Sequence, residues 1–325
     1  MMEFRELIKN TRIDFIGMRR MAFALSGIFL LLGSIGLTMV LTSKANLSTD
    51  FTGGVSIHLR FQDPVNIGEL RNALTANGVR DTLIQEVSGT KGFLIKTTLA
   101  EPGKEDIQDT LYRILSETWP GRPYEVLETN TVGPSVGQNL KKQAIVATVI
   151  AFVAIITYIG FRFNFLFGVA ATFATFHDVL AMLGIFCVLG REINILFITA
   201  LLTIAGYSLT DTIVVFDRIR EHMAKMKVRE DFGNVINRSI NEVLSRTIVT
   251  NLTTFLVTVA LALLGGSVLF DFALALMIGT VVGTYSSIFV ASPLLFMWKR
   301  RIVGKRPSPD SGGNAKRNPY EISQT

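Results

Sequence analysis

The stretch Ala205-Gly206-Tyr207-Ser208-Leu209-Thr210-Asp211-Thr212-Ile213-Val214-Val215-Phe216-Asp217-Arg218 closes an apolar run that begins at Ile193 and places a carboxylate, Asp211, inside it. A charge at membrane depth costs about 3 kcal/mol on insertion scales and more in simulations. Such a residue is kept for a partner or a task, unless it lies near enough to the helix end to reach headgroup water. Both readings make the run a membrane span, and the fold follows from how many similar runs flank it.

The chain has 325 residues, 49% of them hydrophobic, 23 of them Phe, and only 18% charged. With a positive mean hydropathy and several long uncharged runs, it reads as a polytopic α-helical membrane protein. The formal charge of +6 does not point to nucleic acid. Lys and Arg cluster beside the apolar runs, where they set topology and touch anionic headgroups. Cys187 is the single cysteine, so no internal disulfide can form and no metal cluster is suggested.

Six spans are expected. Residues 1–20 are short and basic and read as a cytoplasmic N-terminus. Met21 to Ser43 carry no charge, roughly 34 Å of helix at 1.5 Å per residue, which suits a retained signal-anchor better than a cleaved signal peptide. The second span is Gln143–Phe161, followed by a tight turn at Arg162. The third is Phe163–Gly190, interrupted by His177-Asp178, with Arg191-Glu192 as a short exported turn. The fourth is Ile193–Phe216, the fifth Thr247–Phe270 and the sixth Phe272–Trp298. A basic cytoplasmic loop is expected over 217–245. Ile236, Ile240, Val243 and Leu244 within it have the spacing of a helix lying on the membrane surface. The turn around Gly265, Gly266 and Asp271 has no Lys or Arg, as suits an exported loop. Transmembrane helices two to six thus occupy 140–301, and residues 302–325 read as a disordered cytoplasmic tail. By this charge bias both termini are expected on the cytoplasmic side of the membrane.

Residues 44–139 form the one long polar segment, expected to be exported. Val55–Phe61 alternates as a strand does, and Asn66–Ala76 is helical with Asn66 as N-cap and Glu69 in the capping-box position. Thr82–Val87 and Phe93–Leu99 read as strands around Ser-Gly-Thr-Lys-Gly. Asp106–Trp119 has a helical period, and Tyr124–Glu128 is a last strand. The order βαββαβ is that of a ferredoxin-like α+β domain. Gly133, Pro134 and Gly137 then form either an ordinary linker or a hinge.

Three polar sets lie in the later spans. Asp211 has Tyr207, Ser208 and Thr203 on nearby turns of its own helix. Arg246 heads a stripe of Thr247, Thr250, Asn251, Thr254 and Thr258, spaced by three or four, which belongs against a helix or a wet cavity. Antiparallel neighbours bring Asp211 and Arg246 to similar depth, near enough to pair. Burial disfavours the carboxylate charge and a guanidinium favours it, so a modest change in hydration or separation can load or release a proton. A static salt bridge needs only the pairing, and the sequence leaves both open. His177-Asp178 is the third set, with Ala171, Ala174 and Ala181 on the Asp178 face to permit close packing.

Enzymatic chemistry finds no footing. Asp178 and Asp211 bring an aspartyl intramembrane protease to mind, but Asp211 follows Ser-Leu-Thr rather than Gly-x-Gly. There is no Walker loop, zinc motif or serine triad in the sequence.

The residues resemble the SecF family of the bacterial SecDF protein-export complex, in the resistance-nodulation-division superfamily. The resemblance covers nearly all of the chain to about Arg301. It rests on Asp50-Phe51-Thr52-Gly53-Gly54, on Val132-Gly133-Pro134-x-Val136-Gly137, on His177-Asp178, and on Gly206-Tyr207-Ser208-Leu209-Thr210-Asp211-Thr212 through Glu221. Ser245-Arg246-Thr247 with Thr250, Thr253 and Thr254 completes it. Leu47-Ser48-Thr49 ahead of Asp50 is the one departure from the family pattern. The resemblance implies a non-enzymatic, proton-driven export subunit without organic cofactor or metal, in which Asp211 and Arg246 support proton passage. It implies SecD as the other half, the SecYEG channel and YajC as further partners, and unfolded preprotein as cargo. The competing expectation is a six-span half of a proton-coupled small-molecule exporter, against which the small exported segment and the Sec-type motifs speak.

Overall fold

The computed structural model describes residues 11–42, 44–63, 65–79, 82–87, 92–97, 107–226 and 230–303. The chain divides into two compact units, one of Asn46–Thr148 with Glu192–Ile195, the other of Met1–Ala45, Val149–Arg191 and Leu196–Thr325.

The smaller unit is α+β. A four-residue helix α2 (Thr49–Thr52) leads into β1 (Gly54–Phe61), α3 (Ile67–Ala76), β2 (Leu83–Val87), β3 (Gly92–Thr97), α4 (Ile107–Thr118) and β4 (Tyr124–Val132). The strands form one sheet in the order β2-β3-β1-β4, with each neighbouring pair antiparallel. Alternation sends Val55, Ile57, Leu59 and Phe61 of β1 to one face, where they are buried with Leu70 and Leu74 of α3 and Leu111, Ile114 and Leu115 of α4. Trp119 closes that core edge-on against Phe61, ring centres 5.7 Å apart. The opposite face of β1 carries Ser56 and His58, opposed across the ladders by Lys96 on β3 and by Asn130 and Glu128 on β4. Asn66 caps α3 by accepting from the Gly68 amide at 2.7 Å.

Strand β4 runs four residues beyond Glu128, because Thr129–Val132 pair with Gly54–Ile57 after an irregularity between His58 and Leu59. Polar residues at those positions hide a strand from hydrophobic patterning. Leu99, Asp106 and the residues between β2 and β3 lie outside the described residues. The segment Glu192–Ile195 is not a plain turn. Ile193 bridges to Leu47 in parallel and exchanges backbone hydrogen bonds with Asn46 and Ser48. Glu192 pairs with Lys96 at 2.5 Å, and the amide of Ile195 donates to Asp50 Oδ2 at 3.1 Å. Gly53 adopts φ +73°, and a Cβ there would meet Pro134 Cα at 2.9 Å, so only glycine fits the end of α2.

The larger unit is helical: α1 (Arg19–Leu41), the latter part of α5 (Pro134–Arg162), α6 (Phe165–Val188), α7 (Ile195–Ala224), α8 (Phe232–Leu264), α9 (Gly266–Ser286), a π-helical turn (Ser287–Ala291) and α10 (Ser292–Val303). Among the described residues six helices are long and apolar enough to cross a membrane, the sixth running through the π turn over Leu269–Lys299. With the small sheet they make a polytopic helical membrane fold. Its core gathers Phe163, Phe167, Val215, Phe216, Ile236, Ile240, Ile288 and Leu295.

Several boundaries differ from the sequence reading. Asp231 caps α8 by accepting from Gly233, and the helix then runs unbroken to Leu264. Ile236, Ile240 and Leu244 are therefore core residues rather than one side of a surface helix. Likewise α7 continues past Asp217 to Ala224, which shortens the expected loop 217–245 to a few residues. Gly265 alone separates α8 from α9; Asp271 lies in α9 and pairs with Arg191. The tail 302–325 lies almost wholly outside the described residues.

Candidate functional site

The candidate site is built on α6, α7, α8 and α9. Asp211 is 7% exposed. Its Oδ2 accepts from Nδ2 of Asn251 on α8 at 2.5 Å, and the same amide donates to Thr247 O at 2.9 Å. Asn251 and Thr247 lie four residues apart on one face of α8, so one amide bridges its own helix and the neighbouring carboxylate.

The expected Asp211–Arg246 pair is not made. Among the described residues no ion pair within 4 Å joins them, and Arg246 is exposed, although its charge acts on Asp211 from a distance. Arg246 and Asn251 are five residues apart, about 140° around a helix, so α8 cannot turn both toward α7. The shorter amide takes the buried place because it needs no counter-charge there. The polar stripe of α8 divides accordingly. Thr247, Asn251 and Thr258 are buried, whereas Arg246, Thr250 and Thr253 are exposed. Tyr207 lies higher on α7, where its hydroxyl meets Thr254 Oγ1 at 2.9 Å and donates to Thr250 O at 3.2 Å. The Oδ1 of Asn251 and Oγ1 of Thr247 are buried without a protein partner, which leaves hydrogen-bonding capacity beside Asp211.

Ser208 does not join Asp211. Its hydroxyl donates to Asp178 Oδ2 on α6 at 2.5 Å, and Ser286 of α9 donates to the same oxygen at 2.7 Å. His177 Nδ1 lies 3.1 Å from Asp178 Oδ1. Both His177 and Asp178 are wholly buried. The Phe29 and Tyr285 rings flank the imidazole. Ser286 was missed in the sequence, although the run Thr284-Tyr285-Ser286-Ser287 inside an apolar span is its signal.

Of the three residues read as linker or hinge, only Gly133 stands between β4 and α5. Pro134 opens α5, where its missing N–H costs nothing. Gly137 lies in the first turns, where a Cβ would come within 2.8 Å of Gly53 N. No cluster of metal-ligating residues occurs among the described residues.

Six membrane-length helices, a small α+β unit and two buried carboxyl groups met by amide, hydroxyl and imidazole side chains define a multi-pass membrane protein with polar chemistry at membrane depth. The family model described as protein export membrane protein SecD/SecF, C-terminal, matches residues 115–301. The chain is 47% identical to the protein translocase subunit SecF of Thermodesulfovibrio yellowstonii, over 93% of this chain and 99% of that one. It is 40% identical to the protein translocase subunit SecDF of Thermus thermophilus, covering 90% of this chain and 39% of the relative. The crystal structure of SecDF, a translocon-associated membrane protein from that organism, superposes on 90% of this chain and 39% of its own with a TM-score of 0.79 at 39% identity. The chain belongs to the SecD/SecF protein-export family, and its full-length relatives are SecF subunits.

Proposed function

We propose that this chain is a multi-pass inner-membrane subunit of the protein-export translocase that, with SecD, uses the proton motive force to drive late steps of preprotein export. The observation that carries this reading is a buried carboxylate, Asp211, held by a neutral amide instead of a salt bridge. A carboxylate locked to a guanidinium has little reason to take a proton. One served by an amide, with unused polar atoms of Thr247 and Asn251 next to it, can be protonated without breaking an ion pair. One elementary charge moved through 100 mV releases about 2.3 kcal/mol, enough to shift a helix packing equilibrium. Arg246 stands outside the carboxylate's hydrogen-bond shell and supports proton passage by its fixed charge.

SecD is the proposed other half. Thr203 and Thr210 on α7 and Arg246, Thr250 and Thr253 on α8 are exposed along helices of membrane-spanning length. Polar groups facing lipid are costly, and a second helical half covers them. The Thermus thermophilus relative that carries SecDF in its name is more than twice the length of the matched region, which supports this. The sheet unit is read as the exported, ferredoxin-like domain, with both termini of the chain cytoplasmic. SecYEG, YajC and unfolded preprotein follow as partners, and protons as the coupling ion, with no organic cofactor.

The test is export of a secreted preprotein into membrane vesicles, with an imposed proton gradient intact or collapsed. With Asp211→Asn the gradient-dependent part of export should vanish. Normal export by the mutant with its gradient dependence intact would remove Asp211 from the mechanism.

A further inference from the structure

The second buried carboxylate, Asp178, is not part of the Asp211 site, yet both act on the same turn of α7. Ser208 and Asp211 are three residues apart, on one face of the helix within a single turn. Asp178 holds the first through Ser208 Oγ, while Asn251 holds the second from α8. Within α7 itself, Thr212 donates back to the carbonyl of Ser208 at 3.3 Å.

The clamp leaves little slack. Asp178 is 0% exposed, Ser286 0% and Ser208 2%. One carboxyl oxygen thus ties α7 and α9 to α6 through two short hydroxyl bonds. Gly283, one turn before Ser286, abuts Ser208. A Cβ there would sit 2.9 Å from Ser208 Cβ and 3.0 Å from its Oγ. Directly after Ser286 the helix widens into the π turn Ser287–Ala291, a local form that occurs often where a helix is adapted to function.

We infer that Asp178 is a positioning residue for the proton site: through Ser208 it fixes the rotation and depth of the α7 turn that presents Asp211 to Asn251 and to the charge of Arg246. The inference rests on the proposed proton role of Asp211. The titratable and charged groups concerned are Arg246 of α8 toward Asp211, His177 of α6 toward Asp178, and Tyr285 of α9 beside His177. Hydrogen bonding and Coulomb interaction both depend steeply on distance, so a small turn of α7 changes the proton affinity of the site.

Ser208 and Ser286 provide matched perturbations. Each donates one hydroxyl to the same oxygen, each is buried, and only Ser208 lies on the helix of Asp211. The full chain with its SecD partner is placed in vesicles, and the pH dependence of gradient-driven preprotein export is measured for Ser208→Ala, Ser286→Ala and Asp211→Asn. Ser208→Ala should shift the midpoint of the profile by about half a pH unit or more in either sense, while Ser286→Ala leaves it in place. Gly283→Ala, which pushes Ser208 aside without removing its hydroxyl, should shift it as Ser208→Ala does, and it is scored instead if Ser208→Ala fails to accumulate. Equal shifts for Ser208→Ala and Ser286→Ala, or none for Ser208→Ala and Gly283→Ala, overturn the inference. If Asp211→Asn leaves gradient-driven export unchanged, the reading of the proton site itself has failed.

Discussion

The contact between Asn251 and Asp211 yields a prediction whose size can be worked out. In Asn251→Ala two bonds are lost, one to the Asp211 carboxylate at 2.5 Å and one to Thr247 O at 2.9 Å. A hydrogen bond to a charged group contributes about 1.5–3 kcal/mol and a neutral one about 0.5–1.5 kcal/mol. In the wild-type background the substitution should therefore cost about 2–4.5 kcal/mol, before any loss of packing. With Asp211→Asn already in place the acceptor is a neutral amide oxygen, so the same substitution loses two neutral bonds. The difference, about 1–1.5 kcal/mol, is the coupling energy of the pair. It is read from reversible unfolding of the four proteins in mixed micelles: wild type, each single variant and the double variant. A coupling below about 0.5 kcal/mol, the usual scatter for independent sites, would refute the claim that Asn251 serves Asp211 as a carboxylate.

Two further outcomes test the packing and the sheet unit. Gly184→Ala places a Cβ 2.4 Å from Gly33 N and Leu32 C, backbone atoms that cannot rotate away, so α1 must separate from α6 at a cost of about 1–3 kcal/mol. Gly27→Ala on α1 meets nothing within 4 Å and should be neutral or stabilising in the same unfolding assay. In the sheet, burial first and then the charge of Arg60 hold His58 below its ordinary value of 6.5. Its contribution to stability is present above pH 6.5 and is lost as pH falls through the folded value. Glu128, its partner across β1 and β4, is pushed above 4.5 by partial desolvation and by the charges of Glu192 and Asp50. Its contribution is present below pH 4.5 and is lost as pH rises through the folded value. Trp119 fluorescence in a Trp298→Phe background reports unfolding of this unit in the full-length protein. On acidification from pH 7.5 to 5.5, Glu128→Gln should show a falling midpoint and His58→Gln a flat or rising one. The same trend in both variants would contradict the assignment.

The number of spans, the presence of a small α+β segment and the buried carboxyl groups Asp178 and Asp211 were legible in the sequence, whereas Ser286 was not. Hydrophobic runs of bilayer length, strand alternation such as Val55-x-Ile57-x-Leu59-x-Phe61 and the cost of Asp211 in an apolar run are local properties, legible along one dimension. Family motifs such as Gly206-Tyr207-Ser208-Leu209-Thr210-Asp211 added membership. Which side chains meet depended on how the helices pack. Arg246 and Asn251 both lie within one and a half turns of the start of the fifth apolar run, and spacing alone made the cation the natural partner of Asp211. The rotation of α8 decides the matter, because it is set by Ile236, Ile240 and Leu244 in the core, many residues away. Ser208 lies beside Asp211 in the chain but bonds to Asp178, since the face of α7 toward α6 and α9 is fixed by the close fit of Gly283. Periodicity tells which residues share a face; packing of all the helices at once tells what each face sees.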